Sequence, residues 1–408
     1  MDAKVLLGLA LRNVERYKRR SALSLAAIAA GVAGLILSGG FVHDLIRQLG
    51  EAVIHSQSGH LQIARAGFFD SGSRAPSKYL IAPADAQRVG LTDQAHIQAT
   101  MRRINFSGLL SNGRSSYPIV GEGIEPDREA ELGTSLVLQQ GRMLRAADRY
   151  GALVGAGVAR ALDLKPGSLV SIVAPTVDEA MNTVEVEVVG TFQSFSKDYD
   201  DRTIKIPLPV AQELLNTDGI NTIVVVLDDT SHTAQVAAAL GPRVADAHLE
   251  LRTWDSLNDF YAKAVALYDR QFGVLRLIVL FMVLLAVTGA INVRVLERAG
   301  EFGTMRSLGN RSSDVLWLVL AEGALMGALG ALIGALLGSA AAWLVSYAGI
   351  PMPPPPNSNL EYTARIMLVP SVIAGAFLIG LIATVLASVA PAYRVSRLPI
   401  VEALRRLV

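Results

Sequence analysis

The sequence predicts a membrane protein with four transmembrane α-helices and a large α+β domain inserted between the first and second helices. Four long apolar runs, three without charge and one with the single charge of Glu322, predict the helices, and short alternating stretches between the first two runs predict the domain. Of the 408 residues, 51% are hydrophobic and 18% are charged, which is less charge than soluble proteins usually carry. Because a bilayer core needs about 20 helical residues, each run with its flanks is long enough to cross it.

The basic residues orient the four predicted spans. Lys and Arg number six in the first 21 residues, four in residues 294–314 and four after Ala392, but one in the loop between the third and fourth spans. An excess of basic residues marks the cytoplasmic side, so we expect both termini and the 294–311 segment in the cytoplasm. The four predicted spans are 21–42, 271–293, 312–347 and 367–391. The outer hairpin is predicted at 348–366, and the cytoplasmic tail at 392–408.

The segment before the first span predicts an amphipathic helix. In residues 1–20, apolar residues recur at helical spacing, and a cluster of Arg and Lys follows. This pattern is typical of a helix that lies on the inner membrane face or packs on the bundle. A cleaved signal peptide is disfavoured, because the apolar run exceeds the about 15 residues of such a segment.

The long segment 43–270 changes pattern after its first helical turns. Short stretches that alternate or are rich in Val and Ile are bounded by turn-forming residues, and short helical stretches interrupt them. This predicts an α+β domain of about 225 residues, so we expect two subdomains with the outer one near 102–220. The chain has no cysteine, which excludes disulfides and thiolate metal sites.

The sequence lacks signatures of enzyme chemistry. None of the seven lysines follows a glycine, so the chain contains no nucleotide-binding P-loop. The stretch VGAGVARAL resembles a dinucleotide-binding loop, but Arg160 stands where that loop needs its third glycine. Its helix also stops by Pro166, so the stretch favours a simple turn into a short helix. The six histidines are scattered in sequence, and we expect neither a metal site nor catalytic residues.

A charged segment between the second and third spans is the candidate functional site. Residues 293–314 carry four arginines, three acids and three glycines between two apolar runs. Helical spacing puts Phe302, Met305 and Leu308 on one apolar ridge, and Gly309 suits the end of this short helix. The pattern leaves two interpretations open: a helix that presents side chains to a cytoplasmic partner, or one that rests on the lipid headgroups.

The third span carries a face of small residues and one acid. Gly330, Gly334 and Gly338 are four residues apart, and such a face lets membrane helices approach closely. Glycine costs about 1 kcal/mol against alanine in a helix, so close packing is the expected reason for it. The same face permits association with a second copy or with a paralogue. We expect Glu322, near the start of this span, to pair with an arginine rather than to couple an ion.

Several stretches resemble one class of membrane proteins. ERAGEFGTMRSLGNRSSDVLWLVLAEG resembles the E-R-x-x-E-I-G-x-x-R-A-L-G stretch of the MacB/LolC/LolE/FtsX class of ABC-transporter permeases. The approach to the first span, LRNVERYKRRSALSLAAIAAGVA, the stretch VGAGVARALDLKPGSLVSIV and the C-terminal APAYRVSRLPIVEALR resemble this class in the same order. SGHLQIARAGFFDSG is similar to the lipoprotein-releasing, LolC/LolE-like branch. Unlike MacB, the chain has no fused ATPase, and its inserted domain is larger than that of a typical FtsX.

The resemblance implies a permease subunit of a type VII-like ABC transporter in the inner membrane, with the inserted domain in the periplasm. A coupling helix would dock on a separate cytoplasmic ABC ATPase, which binds ATP and Mg, while this chain binds no cofactor. The residues that the resemblance assigns to ATPase coupling are Glu297, Arg298, Glu301, Phe302, Gly303, Thr304, Met305, Arg306, Leu308 and Gly309. Two permeases, as a homodimer or as a heterodimer with a paralogue, would assemble with two ATPases among membrane lipids, and nucleic acid is not an expected partner.

Mechanotransmission from the ATPase to the periplasmic domains is the mechanism that the resemblance implies. The substrate would be a lipoprotein, a lipid or another hydrophobic molecule, which leaves the membrane for a periplasmic lipoprotein or lipid carrier. The alternative is an FtsX-like signalling permease that activates a periplasmic partner, such as a cell-wall hydrolase, without transport. A membrane-anchored adaptor outside the ABC class is a third hypothesis, which the coupling-like loop disfavours.

Overall fold

The computed structural model describes residues 8, 12, 18–72, 75–91, 94–132, 135–353 and 362–399. Most of the predicted helix at 1–20 and the last nine residues of the tail lie outside the described residues. The chain forms two compact units. The helical unit comprises Met1–Ile46, Val265–Pro351 and Thr363–Val408, and the sheet unit comprises Arg47–Ala264 and Met352–Tyr362.

The α-helices fall into long apolar helices and short connecting ones. In chain order they are α1 (Lys18–Val53), α2 (Phe68–Ser71), α3 (Pro83–Arg88), α4 (Pro126–Leu132), α5 (Ala156–Ala161), α6 (Lys197–Asp200), α7 (Leu208–Leu215), α8 (Thr233–Asp246), α9 (Trp254–Leu257), α10 (Asp259–Glu297), α11 (Ala299–Ser307), α12 (Ser312–Ala348) and α13 (Pro370–Ser396). A π-helical turn at Ile54–Ser58 follows α1, and short 3₁₀ helices span Pro76–Tyr79 and Thr230–His232.

Within the described residues, four helices are long and apolar enough to cross a membrane. The first three contain the predicted spans, and the fourth begins at Pro370, three residues after the predicted start at 367. The large domain lies between the first and second of these helices, so the predicted fold class is confirmed. The first two helices are longer than the predicted spans, with 36 residues in α1 and 39 in α10. Helical periodicity continues beyond the uncharged runs on both, so neither helix ends where the hydrophobic segment ends.

Buried side chains from four helices form the interior of the helical unit. The cluster contains residues of α1, α10, α12 and α13, among them Ile28, Val32, Val283, Val287, Val315, Val319, Ala383 and Ala387. Small residues predominate on α13, which lets this helix lie close to its neighbours.

One ten-stranded sheet organises the sheet unit. Its strands are β1 (Leu61–Arg65), β2 (Ile97–Ser111), β3 (Ser116–Ile124), β4 (Val137–Gly141), β5 (Gly151–Gly155), β6 (Leu169–Pro175), β7 (Met181–Gln193), β8 (Thr203–Pro207), β9 (Thr222–Leu227) and β10 (Leu249–Thr253). The strand order is β10-β1-β9-β2-β3-β8-β5-β7-β4, and β6 pairs with β2 and β7. A separate pair of short strands, β11 (Ile350–Met352) and β12 (Tyr362–Ala364), lies within the predicted hairpin.

Strand pairing changes near the limits expected for an outer subdomain at 102–220, and this subdomain stays a prediction. The first part of β2 pairs with β9 and its second part pairs with β3 and β6, so one strand continues across the expected boundary. A single buried cluster contains residues from both sides, such as Leu61, Ile104, Val186 and Val225. Strands β3 to β8 pair with one another or with the second part of β2, whereas β1, β9 and β10 pair with one another or with its first part. The long strand β2 joins these two parts of the sheet, which the alternation pattern alone cannot reveal.

A network of charged side chains is buried in the sheet unit. The Glu129 carboxylate on α4 accepts hydrogen bonds from Arg103 Nη2 and Lys205 Nζ, both at 2.6 Å. Lys205 also lies 3.4 Å from Glu122, whose carboxylate accepts from Tyr199 at 2.8 Å. Because charges taken out of water need partners, this network fixes α4 against β2 and β8.

The stretch VGAGVARAL forms a strand followed by a short helix, as predicted. β5 runs into α5, which has only six residues. A Cβ atom on Gly155 would clash with the Asp200 backbone, and one on Gly157 would clash with Asp201. These glycines therefore allow α6 to pack closely on the turn, which accounts for them without a bound dinucleotide.

Candidate functional site

The charged segment between α10 and α12 forms a single short helix with defined ends. Helix α10 continues to Glu297, and Arg298 leaves the helical conformation with φ −95° and ψ 11° before α11 begins. Gly309 has φ +98°, a left-handed conformation that suits glycine after a helix end. The separate helix α11 is thus shorter than the predicted segment 294–311, because the first residues of that segment continue α10.

Arg298 connects this segment to the next membrane helix. Its Nη1 donates to both oxygens of Glu322 at 2.9 and 2.8 Å, and its Nε donates to Glu301 at 2.9 Å. The guanidinium also lies over the Phe302 ring, 5.1 Å from the ring centroid. The expected pairing of Glu322 with an arginine is confirmed, and Arg298 is its partner. Two different nitrogens of one planar guanidinium thus bond two carboxylates, and such charge-assisted bonds are stronger than those between neutral groups.

The predicted apolar ridge does not face outward as a unit. Phe302 is 2% exposed and packs inside the helical unit, where Met305 also contacts the buried cluster. Leu308 is 80% exposed. Periodicity places these residues on one side of a helix but does not identify the neighbour that covers it, and here the bundle itself covers most of the ridge.

The exposed tip of the segment consists of Thr304, Ser307, Leu308 and Gly309. Behind it, hydrogen bonds hold the backbone: the Thr304 hydroxyl donates to Gly300 O at 3.0 Å, and Asn310 Nδ2 donates to Met305 O at 3.1 Å. The Arg306 side chain donates to the carbonyl of Leu398, beyond α13. The tip is therefore a fixed surface, with one large apolar side chain among small polar ones.

The glycine face of α12 packs against α1 of the same chain. A Cβ atom on Gly330 would lie 2.8 Å from Ile28 Cβ, and one on Gly334 would lie 2.7 Å from the Ala29 carbonyl oxygen. Gly338 is equally close to Ala33, at 2.9 Å from its Cα. The face lets two helices of one chain approach closely, so the predicted helix-packing role of the three glycines is confirmed, and α1 is the helix that they meet.

A cavity of about 360 Å³ opens in the sheet unit beside β1 and α2. Phe68, Phe69 and Phe106 line it, together with the charged Arg103 and Glu122. The first two phenylalanines belong to the stretch that is similar to the lipoprotein-releasing branch. Apolar walls with a few polar groups are typical of ligand sites, and sequence reasoning did not identify this one.

Folding brings together some of the histidines that are scattered in the sequence. The rings of His55 and His60 meet edge to face with centroids 5.8 Å apart. His96 and His232, 136 residues apart, stack with centroids at 3.8 Å and share the carboxylate of Asp228. The second group offers three atoms of the kind that bind metal ions, which spacing along the chain did not indicate.

Two family profiles match the chain. The profile described as "MacB-like periplasmic core domain" matches residues 21–243, and the profile described as "FtsX-like permease C-terminal" matches residues 273–400. Together they cover the first span with most of its inserted domain, and then the remaining spans with the charged segment.

Similar proteins are transmembrane or permease proteins by name. An uncharacterized ABC transporter permease of Methanocaldococcus jannaschii is 24% identical over 52% of this chain and 53% of its own length. The lipoprotein-releasing system transmembrane protein LolC of Neisseria meningitidis is 21% identical over 79% of this chain and 77% of its own. The macrolide export protein MacB of Brucella abortus is 24% identical over 81% of this chain and 49% of its own. The chain thus spans about half the length of the archaeal permease and of MacB.

Solved structures with low similarity match about half of the chain. The extracellular domain of YknZ from Gram-positive bacteria matches 48% of this chain and 100% of its own, with a TM-score of 0.35 and 12% identity. The periplasmic region of MacB from Actinobacillus actinomycetemcomitans matches 50% of this chain and 93% of its own, with a TM-score of 0.36 and 18% identity.

Proposed function

Because the chain belongs to the family with the MacB-like periplasmic core domain and is an ABC-transporter permease of the MacB/LolC/FtsX type, we propose that it is the membrane subunit of an ATP-driven translocase. A separate cytoplasmic ATPase binds ATP and Mg and carries out hydrolysis, and this chain supplies the surface on which it docks. Helix α11 with its exposed tip is the observation that carries the proposal, because it offers an oriented surface between two membrane helices.

Movement of the ATPase reaches the rest of the chain through α11. The segment follows α10 after one residue, and Arg298 ties that junction to Glu322 on α12. Helices α1 and α10 each contribute residues to both compact units without a break in the helix. Since a continuous helix transmits displacement along its axis, these two helices are the mechanical links to the periplasmic domain.

We place the chain in the inner membrane with its termini in the cytoplasm, and its substrate among lipoproteins, lipids or other hydrophobic molecules. The similarity to LolC over most of both chains supports a lipoprotein, and the phenylalanine-lined cavity supports a ligand with an apolar part. Only 17% of the apolar window of α10 is buried within the chain. This leaves surface for a second permease, either the same chain or a paralogue, and for lipids.

Co-purification from native membranes tests the docking surface. Leu308→Asp puts a charge on the most exposed apolar side chain of the tip, and Leu308→Met preserves its apolar character. We expect a P-loop ATPase to co-purify with wild type and Leu308→Met in mild detergent, and the Leu308→Asp variant to retain at least about ten-fold less. Equal recovery with all three chains refutes docking at the tip, and no ATPase with wild type, even after crosslinking, refutes the proposed function.

Photo-crosslinking distinguishes transport from the FtsX-like alternative. A photoreactive residue at Phe69 in the cavity should capture a lipoprotein or lipid if the chain transports one, with the exposed Glu131 as the control position. Capture of a periplasmic enzyme alone favours a signalling permease.

A further inference from the structure

His96, Asp228 and His232 form a compact group on the sheet unit. His96 Nδ1 lies 3.0 Å from one oxygen of Asp228, and His232 Nδ1 lies 2.9 Å from the other. The two rings are tilted by 32° with centroids 3.8 Å apart. Both imidazoles therefore direct the same kind of nitrogen at one carboxylate.

The backbone holds the three residues in place. His96 precedes β2, and its carbonyl oxygen accepts a hydrogen bond from the Asp228 amide at 3.1 Å. The next residues, Ile97 and Leu227, are paired between β2 and β9. His232 lies one helical turn after Asp228, at the end of the 3₁₀ helix that Asp229 caps. Two neighbouring strands thus fix the positions from which the side chains extend.

We propose that His96, Asp228 and His232 bind one divalent transition-metal ion of the Zn²⁺ type. Their candidate ligand atoms all lie within 4.8 Å of one another. Tetrahedral Zn²⁺ with bonds of about 2.0–2.2 Å holds its ligand atoms about 3.4 Å apart, so small side-chain rotations create the geometry. Water completes the fourth position, since the side chains are about one third to one half exposed and the ion has access from solvent.

The chemistry of the donors suits such an ion. A carboxylate supplies an anionic oxygen ligand at neutral pH, and Asp228 directs one oxygen at each imidazole. Each neutral imidazole carries its proton on Nε2 when Nδ1 binds a metal, and the ion then replaces the two hydrogen bonds to the carboxylate. Two imidazoles with one carboxylate favour Zn²⁺, Cu²⁺ or Ni²⁺ over Mg²⁺ or Ca²⁺.

The position of the site links it to helix α1 within the sheet unit. Thr230, between Asp228 and His232, donates its hydroxyl hydrogen bond to Glu51 at 2.9 Å. The same hydroxyl lies 3.1 Å from Nε2 of His60. A metal ion that fixes residues 228–232 therefore also fixes the contact between this turn and the end of α1.

Zn²⁺ titration of the purified full-length chain tests the site, with a tag that contains no histidine. We expect wild type to bind one Zn²⁺ per chain, and His96→Asn, Asp228→Asn and His232→Gln to lower the affinity about 10–100-fold. Asparagine is chosen at position 96 because it tolerates the positive φ of 71° found there. His248→Asn is the matched control, because His248 is exposed, has φ 56° and lies outside the group.

Hydrogen exchange provides a second measurement that does not depend on affinity. Zn²⁺ should slow amide exchange at residues 228–232 in wild type and in His248→Asn, but not in His232→Gln. The proposal is overturned if wild type binds no stoichiometric Zn²⁺, or if the three ligand variants bind it as tightly as wild type. It is also overturned if the His248→Asn control loses the bound ion as the ligand variants do.

Discussion

Replacing Glu129 by glutamine tests the buried charge network of the sheet unit. Glu129→Gln preserves the size of the side chain but removes the negative charge that faces Arg103 and Lys205. Removing one partner of a buried ion pair costs about 3–5 kcal/mol, because the remaining charge is left uncompensated. Glu122, 3.4 Å from Lys205, still supplies some compensation, so we expect the lower end, about 3 kcal/mol.

This loss of unfolding free energy is large enough to measure in the intact protein. In a domain of 150–250 residues, 1 kcal/mol shifts Tm by about 2–4 °C, so Glu129→Gln should lower Tm by about 6–12 °C. The full-length chain in detergent is heated in steps and pulsed with protease, and peptides from β2, β3 and β8 report unfolding. Glu131→Gln, on the exposed side of α4, is the control and should change Tm by less than about 2 °C. A Tm for Glu129→Gln that matches this control refutes the reasoning.

The same carboxylate predicts how stability depends on pH. Burial alone raises the pKa of Glu129, but the charges of Arg103 and Lys205 outweigh it and lower the pKa from 4.5 to about 2. A depressed folded-state pKa contributes stability above the unfolded-state pKa, and this is lost as pH falls through the folded-state pKa. The contribution, on the order of 3 kcal/mol, is therefore complete above about pH 4.5 and disappears toward pH 2. Wild-type Tm should fall more steeply than that of Glu129→Gln between these pH values, and parallel curves would contradict the assignment.

Two further predictions concern the helical unit. Gly334→Leu should reduce accumulation in the membrane and lower Tm, because its Cβ would lie 2.7 Å from the Ala29 carbonyl oxygen. Gly375→Leu is the control and should have little effect, because open space surrounds that position. Similar losses in both variants would mean that crowding against α1 is not the cause. Glu322→Gln should destabilise the junction by up to about 3 kcal/mol, since it removes one of the two carboxylates bonded to the 8% exposed Arg298 and leaves Glu301 as the other. The double change to methionine at both positions should recover most of the stability. Thermal unfolding of the detergent-solubilised variants measures both effects, and a double variant less stable than Glu322→Gln would show that the pair does more than satisfy its own charges.

The number of membrane helices could be predicted from the sequence, but the sheet organisation could not. A run without charge is a local property, and its length alone decides whether it can cross a bilayer. The sheet depends on which strands meet, and β2 pairs with three strands, one of them, β9, more than 100 residues later in the chain. Alternation identified several strands, yet it carried no information on pairing, so it could not show that β2 runs from the expected outer subdomain into the rest of the sheet.

The candidate site shows the same division between local and non-local information. The sequence predicted a short amphipathic helix at the charged segment, because helical spacing and the glycine at its end are local signals. It also predicted that Glu322 pairs with an arginine, but not that Arg298 is the partner. Phe302 was expected to face a cytoplasmic partner and is instead buried, because the bundle is the nearest apolar surface. His96 and His232 were overlooked as a pair, since only the β2–β9 pairing brings them together.

The Arg298–Glu322 ion pair explains why the segment between α10 and α12 is charged, although an uncharged turn would join the two helices equally well. A purely apolar contact between α11 and the bundle resists separation but allows sliding, because dispersion and burial have little directional preference. Arg298 bonds both oxygens of Glu322 and one of Glu301, which fixes the direction of α11 relative to α12 as well as its distance. Phe302 then supplies burial on the inner side, while Leu308 remains exposed on the outer side. A helix that transmits the displacement of a docked partner needs this directional restraint. The charge pattern is therefore consistent with the mechanical role proposed for the segment.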